Sequence, residues 1–219
     1  MAAAPLVILF GPPASGKGTQ ARMLHERFGW RAFSTGAAIR SHVERNTPFG
    51  KRCQDLLGSA YLLPDDFILE LVRSELESVD GGLVLDGFPR TVRQAELFDE
   101  LCRERGWKID AVIALVATEE ELAERIMHRL TCTACGGTFR NGDLGAPVEG
   151  GACPLCGAMV GRRKDDHPDV FAERFAEYKK LTLPLLDYYA PRGIVREFHA
   201  LLPSSDMARQ ITDLFPSLS

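Results

Sequence analysis

The nine residues Gly11-Pro12-Pro13-Ala14-Ser15-Gly16-Lys17-Gly18-Thr19 constrain this chain more than any other stretch. Ahead of them runs Leu6-Val7-Ile8-Leu9-Phe10, unbroken and apolar, as a strand buried on both faces requires. Behind them Ala21, Leu24 and Phe28 recur at helical spacing. A strand, a glycine-rich turn and a helix in that order form a cradle for phosphate. Glycines let the backbone close around an anion, successive N–H groups point inward, and the helix N-terminus adds partial positive charge. Lys17 brings a full charge to the terminal phosphates. In the general pattern a Ser or Thr directly after the lysine ligates magnesium through its hydroxyl. Gly18 stands there instead and Thr19 follows, so that side-chain hold is missing.

The rest of the chain alternates in the same way. Ala32-Phe33-Ser34 leads into a helical segment bearing Ile39 and Val43, which Pro48 and Gly50 are expected to break before a second short helix at Lys51–Leu57. Pro64-Asp65-Asp66 starts a helix, with proline in the first turn and acids at the positive end of the dipole. Phe67, Ile68, Leu71, Val72 and Leu76 give that helix a buried stripe. Strands are expected at Leu83–Asp86, Ala111–Val116 and Ile194–Phe198. Helices are expected with Ala95, Phe98, Leu101 and Cys102 inward, over Glu119–Arg129, around Phe171, Phe175 and Tyr178 up to Pro184, and over Asp206–Phe215. Five strands alternating with helices imply an α/β fold, a parallel sheet covered on both faces. Ligands of such sheets bind at the carboxyl ends of the strands, where Thr35, Asp86 and the cradle all fall.

With 219 residues there is room for one sizeable core carrying inserted segments. A net charge of −4 argues against nucleic acid or a membrane surface as the main partner. Met1–Phe10 lacks the basic region of a signal peptide, which makes the cytosol the expected compartment. There the six cysteines read as thiols or metal ligands. Cys132-x-x-Cys135 and Cys153-x-x-Cys156 suit a tetrahedral site of four thiolates, with Gly136, Gly137 and Gly157 supplying tight turns. Two disulfides or a redox CxxC are the competing readings. The surrounding stretch, Thr131–Arg163, has few apolar residues, so zinc would be its core, and four protein ligands make the metal structural. Bound zinc supplies roughly 10–16 kcal/mol in small peptides.

Arg40, Arg90, Arg125, Arg129, Arg163 and Arg174 recur near strand ends and around the cysteine stretch. Arg125 and Arg129, four apart, are expected on one helix face. Collected there, the arginines read as clamps on several phosphates, since phosphoryl transfer depends on positioning and charge neutralisation.

The stretches GPPASGKGT, STGAAIR at 34–40, LDGFPRTVRQAE at 85–96, the paired CxxC, and RRKDD at 162–166 with Arg174 beyond resemble the adenylate kinases of the long kind, which carry a zinc-bearing lid. The likeness covers essentially the whole chain. It implies a P-loop NTPase-like five-stranded parallel sheet with helices on both faces, plus two insertions. The core would comprise 1–33, 64–127 and 167–219, an NMP-binding segment would span 34–63, and a lid 128–166. The reaction implied is MgATP + AMP ⇌ 2 ADP. In that picture Lys17 neutralises the migrating phosphoryl group, Arg129, Arg163 and Arg174 surround it, and Arg125 packs on the ATP adenine. Arg40 and Arg90 grip the AMP phosphate, Gln94 and Thr35 read its adenine side, and Asp86 holds magnesium through water. Ala14, Ser15, Gly16, Gly18 and Thr19 of the cradle and Thr138 and Phe139 of the lid would complete the ATP side. Tyr61, Leu62 and Leu63, with Gly87, Phe88 and Pro89, would complete the AMP side. The resemblance further implies Mg2+ with ATP, structural Zn2+ on the four cysteines, and a monomer. The alternatives are a relative using another donor or acceptor, for example GTP with AMP, or a zinc-bearing nucleotide-binding module without turnover. The chain departs from the family at Ala14, usually glycine, at Ala37, usually aspartate, at Ala60-Tyr61, usually a Gly-Lys-like pair, and at Pro203-Ser204, usually Asp-Gly in a loop expected to touch the ATP adenine.

Overall fold

The strand that leads into the cradle lies in the middle of the sheet. In the computed structural model, which describes residues 5–57, 63–79, 81–163 and 166–215, Leu6–Phe10 form β1 with every side chain buried. Alternate side chains of a strand go to opposite faces. Leu6, Ile8 and Phe10 accordingly enter one apolar cluster, and Val7 and Leu9 the other. Burial on both faces is why the run has no polar alternation.

Then come α1 (Lys17–Phe28), β2 (Arg31–Ser34), α2 (Thr35–Glu44), α3 (Pro48–Leu57), α4 (Asp65–Glu75), β3 (Leu83–Asp86), α5 (Val92–Arg105), β4 (Ile109–Val116) and α6 (Glu119–Met127). They are followed by β5 (Arg129–Cys132), β6 (Thr138–Arg140) and β7 (Val160–Gly161). α7 (Pro168–Glu177), a π-helical turn at Tyr178–Thr182, α8 (Leu185–Tyr189), β8 (Val195–His199) and α9 (Ser204–Thr212) complete the order. The expected five-stranded parallel sheet is present, in the spatial order β2-β3-β1-β4-β8. Residues of α1, α6, α7 and α9 pack on one face, and residues of α4, α5 and α8 on the other. Ser34 pairs with Asp86, and Asp86 with Leu9, so β2, β3 and β1 finish at one level. That level is the ligand-binding edge of a parallel sheet.

Two expectations need correction. Pro48 does not break a helix but opens α3, where its missing N–H costs nothing in the first turn. Gly50 lies inside α3 because the α2 backbone passes so near: a Cβ there would sit 2.1 Å from the His42 carbonyl oxygen. The helix expected over Glu119–Arg129 ends at Met127. Arg129 opens β5 and pairs with Arg140, so Arg125 and Arg129 share no helix face. The interruption expected at Pro184 is present: α7 and the π-helical turn precede it, and Pro184 is the N-cap of α8.

β6, β5 and β7 form a separate antiparallel sheet whose buried cluster is Leu130, Cys132, Cys153 and Val160. No helix among the described residues is long and apolar enough to cross a membrane.

Candidate active site

The turn after β1 is shaped by close backbone approaches. Gly11 has φ +146, and a Cβ there would lie 2.6 Å from the Leu115 carbonyl oxygen on β4. Gly16, with φ +99, is the N-cap of α1. Ala14 also adopts a left-handed conformation, φ +65, which is uncommon for a residue with a Cβ. Lys17 Nζ donates to the carbonyls of Gly11 and Pro12, each at 2.8 Å, and to Ser15 Oγ at 3.3 Å. Burial pulls its amine down to about 8 from 10.5, opposed by the Asp86 carboxylate and reinforced by Arg90, Arg174 and Arg129. A Cβ on Gly18 would meet Asp86 Oδ2 at 3.5 Å. The position lacking a hydroxyl therefore faces the carboxylate at the end of β3.

A cleft of about 990 Å³ opens above these residues. Gly16, Lys17 and Arg125 line one part of it, Gly36, Arg40 and Arg90 another, and Arg129, Arg163 and Arg174 also border it. Arg90 Nε donates to the Gly87 carbonyl at 2.9 Å, which also accepts from Thr35 Oγ1 at 2.9 Å. Burial lowers the Arg90 guanidinium's pKa, and Arg174 adds to this, while Asp86 and Glu177 oppose it. Burial also raises the Glu177 carboxyl, against the pull of Arg90 and Arg174. Arg125 donates to the Ala200 carbonyl at 2.8 Å, with its pKa lowered by burial and by Arg129 and Arg140. Arg129 makes two hydrogen bonds to the buried Asp166 carboxylate, one of them 2.9 Å from Nε to Oδ2. So dense a gathering of guanidinium groups around one lysine suits a ligand with several phosphates.

Among known proteins, the family model described as "Adenylate kinase" matches residues 9–194. The chain belongs to the adenylate kinase family. It is 40% identical over 191 residues to an adenylate kinase of Archaeoglobus fulgidus, covering 86% of this chain and 88% of that one. To the adenylate kinase of Pelobacter propionicus it is 39% identical over 215 residues, 97% of each chain. To that of Zymomonas mobilis subsp. mobilis it is 38% identical over 211 residues, 95% of this chain and 94% of the other. Membership makes the protein a nucleoside monophosphate kinase.

Most of the residues that the adenylate kinase resemblance singles out do border the cleft. Ala14, Gly18 and Thr19 are there, as are Asp86, Gly87 and Pro89. Thr138 and Phe139 reach it from β6, and Thr138 Oγ1 lies 3.0 Å from Thr19 Oγ1 on α1. Ser15, Thr35, Leu63, Phe88 and Gln94 are buried and do not line it. Gln94 Oε1 accepts from the Arg90 backbone N–H at 2.8 Å, and its Nε2 donates to Asp65 Oδ1 at 2.8 Å. Tyr61, Leu62 and Ala60 fall outside the described residues.

Sequence reasoning missed Asp166, Asp65 and Glu177. For Asp166 a signal was available, an acid in the RRKDD run among arginines that needed a partner. For Asp65 there was none, since its acid also served as a helix-start residue.

The four cysteines of the paired CxxC converge as their spacing predicts, with all Sγ atoms within 4.8 Å of one another. Cys132 and Cys156 Sγ are 3.5 Å apart, and Cys135 and Cys153 Sγ 3.8 Å. Thiolates about 2.3 Å from a central zinc would be about 3.8 Å apart at tetrahedral angles. The donor set fits zinc.

Proposed function

We propose that this kinase transfers the terminal phosphoryl group of MgATP to AMP, yielding two ADP. The observation that carries the reading is one cleft of about 990 Å³ bordered by Lys17, Asp86 and, among its arginines, Arg40, Arg90, Arg125, Arg129, Arg163 and Arg174. One nucleotide would lie along the cradle, its phosphates on the N–H groups of Ser15–Thr19 and its base against Arg125. The other would place its phosphate between Arg40 and Arg90. Arg40 reaches within 3.3 Å, and Arg90 within 4.0 Å, of where a Cβ on Gly36 would be. Lys17, Arg129, Arg163 and Arg174 would stabilise the charge on the phosphoryl group in flight. Correctly placed cations of this kind contribute roughly 10³–10⁵ in rate.

Asp86 fits a magnesium role, because one carboxylate beside nucleotide phosphates suits a hard cation that keeps much of its water. Bound with ATP, magnesium would neutralise phosphate charge. The bare Cα of Gly18 leaves room beside Asp86 for such a water shell. Residues 128–166 would act as a lid, stapled by zinc on the four cysteines, and 34–63 as the AMP-binding segment. Closing the lid excludes water that would otherwise intercept the phosphoryl group. The working form we propose is a monomer, a reading that rests on the family resemblance, and the compartment we propose is the cytosol.

The test is a coupled assay of the purified protein with MgATP and AMP, run beside GTP as donor and GMP or CMP as acceptor. ADP is expected from ATP and AMP, and its absence would sink the proposal. Faster turnover with GTP would move the donor assignment.

A further inference from the structure

Gln94 is buried, and its carboxamide is held from both ends by groups of opposite polarity. The Arg90 backbone N–H donates to Oε1 at 2.8 Å. Nε2 donates to Asp65 Oδ1 at 2.8 Å, and Thr91 Oγ1 donates to the same oxygen at 3.1 Å. Thr91 in turn accepts from the Gln94 backbone N–H at 3.0 Å, so the base of the Gln94 side chain is fixed by the same residue. Turning the carboxamide over would set Oε1 against the Asp65 carboxylate, two acceptors facing, and Nε2 against the Arg90 N–H, two donors facing. Only one orientation satisfies both ends.

Once both contacts are made, Gln94 has one N–H and one oxygen lone pair to spare. Adenine presents the complement on one edge: N1 accepts and the 6-amino group donates. Hypoxanthine presents the reverse, a donor at N1 and an acceptor at C6. We propose that Asp65 is a positioning residue: by clamping the Gln94 carboxamide, it makes the acceptor position favour adenine over a 6-oxo purine. The inference rests on the proposed AMP site and on the implication of the family resemblance that Gln94, bonded to the backbone of the cleft residue Arg90, meets the adenine of AMP.

Asp65 acts through Gln94, so its removal has a signature that a packing defect lacks. A packing defect lowers turnover with every acceptor alike. An untethered carboxamide loses the donor–acceptor order, because turning it over then sacrifices one hydrogen bond without setting a carboxylate against a carbonyl. AMP efficiency falls while that of inosine monophosphate is spared.

The experiment measures kcat/KM for AMP and for inosine monophosphate at saturating MgATP, with melting recorded on the same samples. In Asp65→Ala the ratio of the two efficiencies is expected to fall on the order of tenfold, with the KM for MgATP unchanged. Asp65→Ser keeps a polar group at the start of α4 without reaching Gln94, and gives the same answer if the alanine variant folds poorly. Asp65→Asn is the conservative rescue. Its amide oxygen can accept from both Nε2 and Thr91, so the ratio stays within about twofold of the parent. A loss in Asp65→Asn as large as in Asp65→Ala overturns the hydrogen-bond argument. An unchanged ratio in the Ala and Ser variants, with a fall in Gln94→Leu, overturns the role of Asp65 and leaves the AMP reading standing. An unchanged ratio in Gln94→Leu overturns the AMP reading at this position, and the Asp65 assignment with it.

Discussion

The parallel sheet and the three-stranded cysteine segment are held by different forces, although both border one cleft. β1 alone buries five apolar side chains, shared between two large clusters that the helices on either face complete. The buried cluster of the cysteine segment is Leu130, Cys132, Cys153 and Val160, while Leu144, Val148, Leu155 and Met159 are exposed. Full burial of a large aliphatic side chain stabilises by about 1.5–3 kcal/mol. Ordering a backbone costs about 1–2 kcal/mol per residue, so so small a cluster cannot by itself order roughly forty residues. Four thiolates on a metal would supply the internal cross-link that this cluster lacks. In the proposed mechanism the sheet would provide a fixed edge for the phosphates, and the segment a cover whose rigidity is internal. A cover built this way can move as a unit without disturbing the sheet.

The largest expected effect sharpens the sheet side of this contrast. Lys17→Met should lower kcat on the order of 10³-fold and leave cooperative unfolding intact, since in the proposed mechanism the charge serves the ligand while apolar burial on both faces holds the sheet. Loss of less than tenfold would show that Lys17 does not meet the transferring phosphoryl group. The amine also makes the site sensitive to pH. Its pKa near 8 means that kcat/KM for MgATP declines above about pH 8 as the charge is lost. Lys17→Arg, which stays charged, should remove that alkaline limb. Stability moves the other way. The unfolded chain holds the proton up to about 10.5, so the contribution of this group to stability rises from pH 8 to 10.5. A kcat/KM profile flat to pH 10 in the parent protein contradicts the assignment.

Next in size is the lid side. Replacing Cys132 and Cys135 with serine, or stripping metal with a chelator, should release about one zinc per chain and melt the β5–β7 segment first. Turnover should fall roughly 10–100-fold through loss of the cover, while the sheet still unfolds cooperatively at higher temperature. A single unfolding transition, shifted as a whole, would show that the two regions are not held independently. Unchanged metal content would remove the four-thiolate site altogether.

The same contrast explains how much could be read from the residues in order. The cradle, β1 and the paired CxxC are local patterns, complete within a few residues, and the structure has each where its pattern places it. Arg129 was out of reach because helical spacing continues through it on paper. Its strand pairing depends on Arg140, across a hairpin. Gly50 reads as a helix breaker by propensity, yet it sits inside α3 because the His42 carbonyl leaves no room for a Cβ. The Asp65–Gln94 and Arg129–Asp166 contacts join residues distant in sequence, and no periodicity announces them. Burial of Lys17 is likewise set by what the fold brings around it, so the identity of the residue foretold its charge but not its lowered pKa.

The smallest expected effect lies within the cradle, between two residues that adopt the same hand of backbone. Gly16 at φ +99 carries no Cβ, whereas Ala14 at φ +65 does. A left-handed conformation costs an L-residue about 1–2 kcal/mol. Glycine escapes this, but its freer unfolded chain returns about 0.4–1 kcal/mol of the gain. The Ala14 methyl also packs at the edge of the cluster formed by Val7, Leu9 and Leu24, and glycine would lose that contact. The three terms leave Ala14→Gly slightly more stable, by up to about 0.5 kcal/mol, which in a chain of this size is a rise of about 1–2 °C in Tm. Gly16→Ala should go the other way by several degrees, because φ near +99 is farther from any well an alanine occupies. If Ala14→Gly instead lowers Tm, the methyl contact outweighs the backbone strain. Alanine at this position would then serve the packing of β1 against α1, tying the cradle more firmly to the sheet than glycine would.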